Sequence, residues 1–343
     1  MARGAAALVV FLGVFSSGSA SSQTAENLPD YVPLLPYVKA KALAVDPQRG
    51  YLVKELKPGI FMITDGAYES VFATTGKGVV LFDAPPSFAR HIVQAVSEST
   101  KEPIVELVYT HLHVDHIGGA SVVLKDKLGV QVVAESGTTE FLREIHDPHR
   151  PIPTRTFKDH ETLKLGSLTA DMKLGHWHSP EGDLLIYVPD RKFVICIDSM
   201  SAGATPFMGL DLTMNMHEYL KIFDTLLALD FDVMVPGHHS APATKEDVRI
   251  AKEYVMDVYN TVSRLLAQDH RALTTRASGK YGDNSWAIAS VLIDDEVNQC
   301  ATEIKSRWLQ KLEGVDIWAA SHCRTELVYA EWTSGNGNRQ ARA

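Results

Sequence analysis

Short stretches rich in β-branched and aromatic residues, at 59–64, 68–74 and 78–83, are separated by Asp65-Gly66 and Gly76-Lys77-Gly78. That pattern predicts a β meander with tight turns. Ile92, Val93 and Val96 recur at helical spacing, and the apolar run 104–110 that follows reads as a buried strand ending in a histidine-rich turn. A helix is expected after that turn, then strands at 130–134, 162–165, 168–174 and 184–189. The run 193–197 pairs naturally with 184–188 through the turn 189–192, which places Asp198 at the carboxyl end of its strand. A helix at 217–229 precedes a strand at 233–236. β-rich and α-rich segments thus alternate twice, the pattern of two sheets packed face to face with helices outside. Before this body, the proline-punctuated stretch 29–58 reads as an extended arm that wraps it without joining regular layers. After it, 245–268 and 294–312 are long, charged and periodic, and predict a C-terminal helical extension that ends in a strand-like segment, 326–332.

The first residues set the compartment. Arg3 precedes an apolar run, 5–15, which gives way to small residues at 16–22, with Gly18 and Ala20 suited to cleavage near Ala20. This is the layout of a secretory signal peptide, too short to cross a bilayer as a helix. No Cys follows it to carry a lipid. The expectation is a secreted chain with no membrane partner. With 45% hydrophobic residues in 343, it can bury a large core. The net charge of -9 argues against nucleic acid and other polyanions, which reward clustered Lys and Arg. In an oxidising compartment a pair among Cys196, Cys300 and Cys323 is expected to bridge. Cys196 sits inside an apolar run, so Cys300 with Cys323 is the pairing, tying the extension's long helix to its strand-like end and stabilising by roughly 3 kcal/mol. Trp286, Trp308, Trp318 and Trp332 point to aromatic burial in the extension, against either the body or a second copy in a homodimer. The polar tail 334–343 reads as disordered.

The chemistry concentrates in Thr110-His111-Leu112-His113-Val114-Asp115-His116-Ile117-Gly118-Gly119. His111 and His113 are two apart, so an extended backbone sends both imidazoles to one side, while Asp115 and His116 can turn toward a neighbouring point. Imidazole and carboxylate together suit zinc well and iron or manganese acceptably. Gly118 and Gly119 let the backbone pack closely as the next helix starts.

At these residues the chain resembles the metallo-β-lactamase superfamily, whose hallmark is a His-x-His-x-Asp-His turn between strand and helix. The resemblance covers roughly 59–244 and implies an α+β four-layer αβ/βα sandwich, here with a C-terminal helical extension. The expected organisation is a signal peptide (1–22), an arm (23–58), a catalytic domain (59–244), the extension (245–333) and the tail. The resemblance also implies three further ligands: His178, in a His-Ser-Pro segment like the superfamily's His-Thr-Pro-Gly, Asp198 at its strand end, and His238 after Pro236-Gly237. His176 is the alternative to His178 and otherwise a neighbouring core or supporting residue. His111, His113 and His178 would hold one ion, Asp115, His116 and His238 a second, with Asp198 bridging two Zn²⁺. Asp83 would orient a ligand histidine, and His239 faces either substrate or solvent.

The implied activity is hydrolysis of a small lactone, ester, thioester or related acyl compound by attack of a metal-bound hydroxide, with Asp115 accepting or relaying a proton. True β-lactamases usually carry Cys or Ser where Asp198 stands. Other readings are a β-lactam hydrolase, an oxidoreductase like the mononuclear-iron persulfide dioxygenases, and a non-catalytic binding member, although no ligand is missing. The apolar stretch 200–216 either lines a substrate pocket or packs in the core.

Overall fold

The computed structural model describes residues 28–333. The expected signal peptide and the tail lie outside these residues. Among the described residues no helix is long and apolar enough to cross a membrane.

Seven strands run side by side in the first sheet: β1 (Leu52–Lys57), β2 (Ile60–Thr64), β3 (Glu69–Thr74), β4 (Val79–Phe82), β5 (Ile104–Val108), β6 (Gln131–Glu135) and β7 (Arg155–Phe157). The first four form the antiparallel meander, and β4 to β7 are parallel. A second sheet of five strands is ordered β12 (Val233–Val235), β11 (Phe193–Ile195), β10 (Asp183–Val188), β9 (Leu168–Gly175) and β8 (His160–Leu165).

β4 shows how the layers arise. All four of its residues, Val-Val-Leu-Phe, are buried, and alternation splits them between two cores. Val80 and Phe82 meet Met172, Ile186 and Ile195 of the second sheet, whereas Val79 and Leu81 face helices that carry Ile92, Ala95, Ile117 and Val123. A third core covers the outer face of the second sheet, where Leu185, Val194, Cys196 and Met234 pack on Tyr219, Phe223, Val255 and Val258. Helix, sheet, sheet, helix: the expected four-layer sandwich is the architecture found, with the extension forming part of its last layer.

Along the chain come α1 (Pro36–Lys41), α2 (Ala89–Ser99), α3 (Val114–Ile117), α4 (Ala120–Leu124), α5 (Ser136–Ile145), the short turn α6 (Met208–Leu212) and α7 (Met216–Ala228), and the extension is α8 (Lys245–Leu266), α9 (Arg271–Tyr281), α10 (Ser285–Trp308) and α11 (Val315–Thr333). α8 starts at a capping box in which Thr244 and Asp247 satisfy each other's backbone N–H groups. Cys300 and Cys323 form a disulfide, and Cys196 is free and buried. Three expectations change. The arm contributes β1 to the first sheet, and the segment 326–332 is helix rather than strand. Trp286 is 87% exposed, while Trp308 is buried as expected and its indole N–H reaches Asp257 Oδ2 at 2.6 Å.

Candidate metal centre

The site gathers where strands of both sheets end. β5 leads directly into the histidine-rich turn, whose short helix α3 (Val114–Ile117) follows His113. Close packing here needs a glycine at 119, where a Cβ would come within 2.3 Å of the Ala89 Cβ.

His111 is held from behind. The Asp83 carboxylate accepts the Thr110 backbone N–H at 2.8 Å and the Thr110 hydroxyl at 2.6 Å, and the same hydroxyl oxygen lies 3.0 Å from His111 Nδ1. With its hydrogen directed at Asp83, that oxygen is an acceptor, so Nδ1 carries the proton and Nε2 faces the site with a free lone pair. Asp83 therefore supports a candidate ligand through Thr110 rather than by direct contact. Burial pushes its carboxyl up to about 7 against the opposing charge of His116.

His178 comes from the second sheet's edge. Its backbone N–H reaches Asp183 Oδ2 at 2.9 Å, its Nδ1 bonds the Asp211 carbonyl, and its Nε2 stands 2.7 Å from His113 Nδ1. His176 is exposed, not a core or supporting residue; the chain bends just past β9, and Trp177 and His178 both turn inward.

Asp198 sits just past β11 at φ +53°, a left-handed conformation that is uncommon for a residue with a Cβ. From there Oδ2 lies 3.2 Å from His178 Nε2, 3.2 Å from His116 Nε2 and 3.4 Å from His111 Nε2, and Oδ1 lies 3.0 Å from His238 Nε2. Burial alone would raise its pKa, but His116, His238 and His178 hold it well below the usual carboxylate range. Asp115 Oδ2 faces His116 Nε2 at 3.6 Å and His238 Nε2 at 4.0 Å. His238 follows Gly237, at φ +103°, where a Cβ would lie 2.8 Å from Ile197. Glu69 grips that glycine twice, donating its N–H to the Gly237 carbonyl and accepting the Gly237 N–H, both at 2.9 Å. His239 is exposed.

All seven sequence candidates thus converge, as two groups: His111, His113, His178 and Asp198, and Asp115, His116 and His238. Two observations make the donor set fit cations. His111 Nε2 is buried without a hydrogen-bond partner, and the pairs His178–His113 and His116–His238 bring imidazole nitrogens within 2.7 and 3.1 Å. Two carboxylates, Asp198 and Asp115, cannot satisfy five imidazoles packed this closely, but two cations can. Burial also lowers His111 to about 3 and His113 to about 4, keeping both neutral, the form that ligates. Four supporting residues escaped the sequence reading: Thr110, Glu69, Asp183 and Asp211. Asp183 alone left a signal, in the Gly182-Asp183 pair that follows His178.

The model of the Metallo-beta-lactamase superfamily matches residues 63–238. The chain belongs to that superfamily. Among its relatives is the 2,4-dinitroanisole O-demethylase subunit alpha of Nocardioides sp. (strain JS1661), 28% identical over 65% of this chain and 66% of that protein, so the chain spans just under two thirds of that relative. Metallo-beta-lactamase IND-1 of Chryseobacterium indologenes is 23% identical over 52% of this chain and 75% of that protein. A solved metallo-beta-lactamase from Pontibacter korlensis shares the fold, with a TM-score of 0.51 at 18% identity over 59% of this chain and 97% of that one. The superfamily embraces many reactions, so its name leaves the substrate open.

Proposed function

We propose that this chain is an exported hydrolase that holds two divalent cations, zinc foremost, and cleaves a small apolar lactone, ester, thioester or related acyl compound. The observation that carries the reading is Asp198, whose two oxygens reach histidines of both ligand groups. His111, His113 and His178 would hold one cation, Asp115, His116 and His238 the other, and Asp198 both. When bound, such a pair supplies Lewis acidity, which polarises a carbonyl and makes water nucleophilic at neutral pH.

The chain's own residues do the rest. Asp83 and Thr110 fix the His111 ring, and Glu69 fixes the turn that carries His238. Asp115, at 38% exposure the most open carboxylate of the group, is the side chain placed to take a proton from water and pass it to a leaving atom. Phe207, Met208, Leu212 and Met214 are all exposed on the segment whose Asp211 carbonyl meets His178, which supports an apolar substrate portion. Export is supported by the apolar start of the chain and the Cys300–Cys323 bridge.

A second reading, removal of a methyl group from an aryl ether, is favoured by the likeness to the O-demethylase subunit. One screen separates them: zinc-loaded protein is offered lactones, thioesters, β-lactams and 2,4-dinitroanisole. Turnover of the acyl compounds supports the proposal; turnover of the ether alone replaces it with the second reading. Turnover of neither, with full zinc content, refutes both.

A further inference from the structure

Between Phe207 and Thr213 the backbone winds left-handed. Gly209, Leu210, Asp211 and Leu212 lie at φ +66°, +58°, +55° and +56°, so three consecutive residues with a Cβ occupy a region that such residues normally visit singly. Such a run is costly and persists only where its surroundings hold it.

The holding contacts come from two directions. From the segment itself and the helix Met216–Ala228 that follows it, Asp211 Oδ1 accepts the Phe207 N–H at 2.6 Å, and the Tyr219 hydroxyl donates to Asp211 Oδ2 at 3.2 Å. From the C-terminal extension, Ser321 Oγ accepts the Gly209 N–H at 2.8 Å, and His322 Nε2 donates to the Phe207 carbonyl at 3.0 Å. His322 is itself fixed, since its Nδ1 accepts from the Tyr254 hydroxyl at 2.7 Å. The Phe207 ring also packs edge-on against Trp318, with centroids 4.9 Å apart. The winding delivers one group to the site: the Asp211 carbonyl, which accepts the Nδ1 proton of His178.

We propose that the C-terminal helical extension is a positioning part of the metal centre. Through Ser321 and His322, α11 holds the left-handed turn, and the turn's Asp211 carbonyl fixes the His178 tautomer and ring so that Nε2 faces His113 and Asp198. This rests on the reading of His178 as a ligand. The carbonyl's direction depends on φ of Leu212, because that torsion flanks the peptide unit carrying it. Returning Leu212 to negative φ takes the acceptor away from the ring.

Leu212 is 42% exposed, so substitutions there test the backbone rather than the core. Leu212→Pro forces φ to about −65°, whereas Leu212→Gly keeps the left-handed turn without steric cost. Each metal-free full-length variant is titrated with cobalt(II) against a chelator, and the cobalt visible absorption spectrum reports the ligand field. Leu212→Pro is expected to weaken the tighter cobalt site at least about ten-fold and alter its spectrum, with Leu212→Gly within about two-fold of the parent. Ser321→Ala should shift affinity the same way by about two- to five-fold. Parent-like affinity and spectrum in both Leu212→Pro and Ser321→Ala overturn the proposal; if Leu212→Pro does not fold, Ser321→Ala decides. His178→Ala is run alongside. If it binds cobalt like the parent, the ligand assignment itself has failed, a result distinct from a failure of the role proposed for the left-handed turn.

Discussion

The two halves of the metal centre use the same residue types in different surroundings. In one, His111 and His178 are 1% and 5% exposed, and each has its Nδ1 engaged, by Thr110 and by the Asp211 carbonyl. In the other, His116 is fully buried, but Asp115 and His238 are 38% and 30% exposed. Protonation follows. Burial keeps His111 and His113 neutral, whereas Asp198 and Asp115 overcome burial at His116 and raise it to about 10; at His238, too, Asp198 outweighs burial and lifts the imidazole above its ordinary value. The buried half is ready for a cation; the open half must first lose protons. On the proposed reading, this difference is a division of labour, with a buried half that would anchor one cation and a more open half that would meet substrate and exchange protons.

Removing what the halves share should have the largest effect. Asp198→Ala is expected to lose both ions and lower kcat/KM by about 10³-fold or more, read from metal content and turnover. Next, His178→Ala should cost more than His238→Ala, by about ten-fold in kcat/KM, because it opens the anchoring half. Equal losses would erase the distinction between the halves. A third expectation concerns pH. A proton on His116 or His238 competes with the cation, so affinity of the open half falls as pH falls; dialysis from about pH 8 to about pH 6 should remove one ion per chain before the other. Simultaneous loss would break the comparison. The smallest effect is expected for His176→Ala, within about two-fold of the parent in both metal content and turnover, since the side chain is exposed and outside both groups.

The ligand groups were legible because their chemistry is local. Four donors fall within six residues after a buried strand, and Asp198 and His238 stand at strand ends, which alternation and turn residues mark. What holds the ligands was less legible. Thr110 follows from adjacency only once Asp83 is seen beneath it, and Asp211 acts through its carbonyl, which no side-chain pattern announces. Glu69 grips Gly237 across 168 residues of sequence. In the fold, β1 was hidden by its half-exposed, Lys- and Glu-bearing pattern, that of a sheet's edge. The end of α11 reads as strand because Leu327, Val328 and Tyr329 favour one locally, but packing against α10 and α8 overrides that preference.

Metal content of the purified full-length chain, by inductively coupled plasma mass spectrometry after dialysis against metal-free buffer near pH 8, tests the central claim most directly. The account predicts two divalent cations per chain. A single ion per chain in the unsubstituted protein would contradict it.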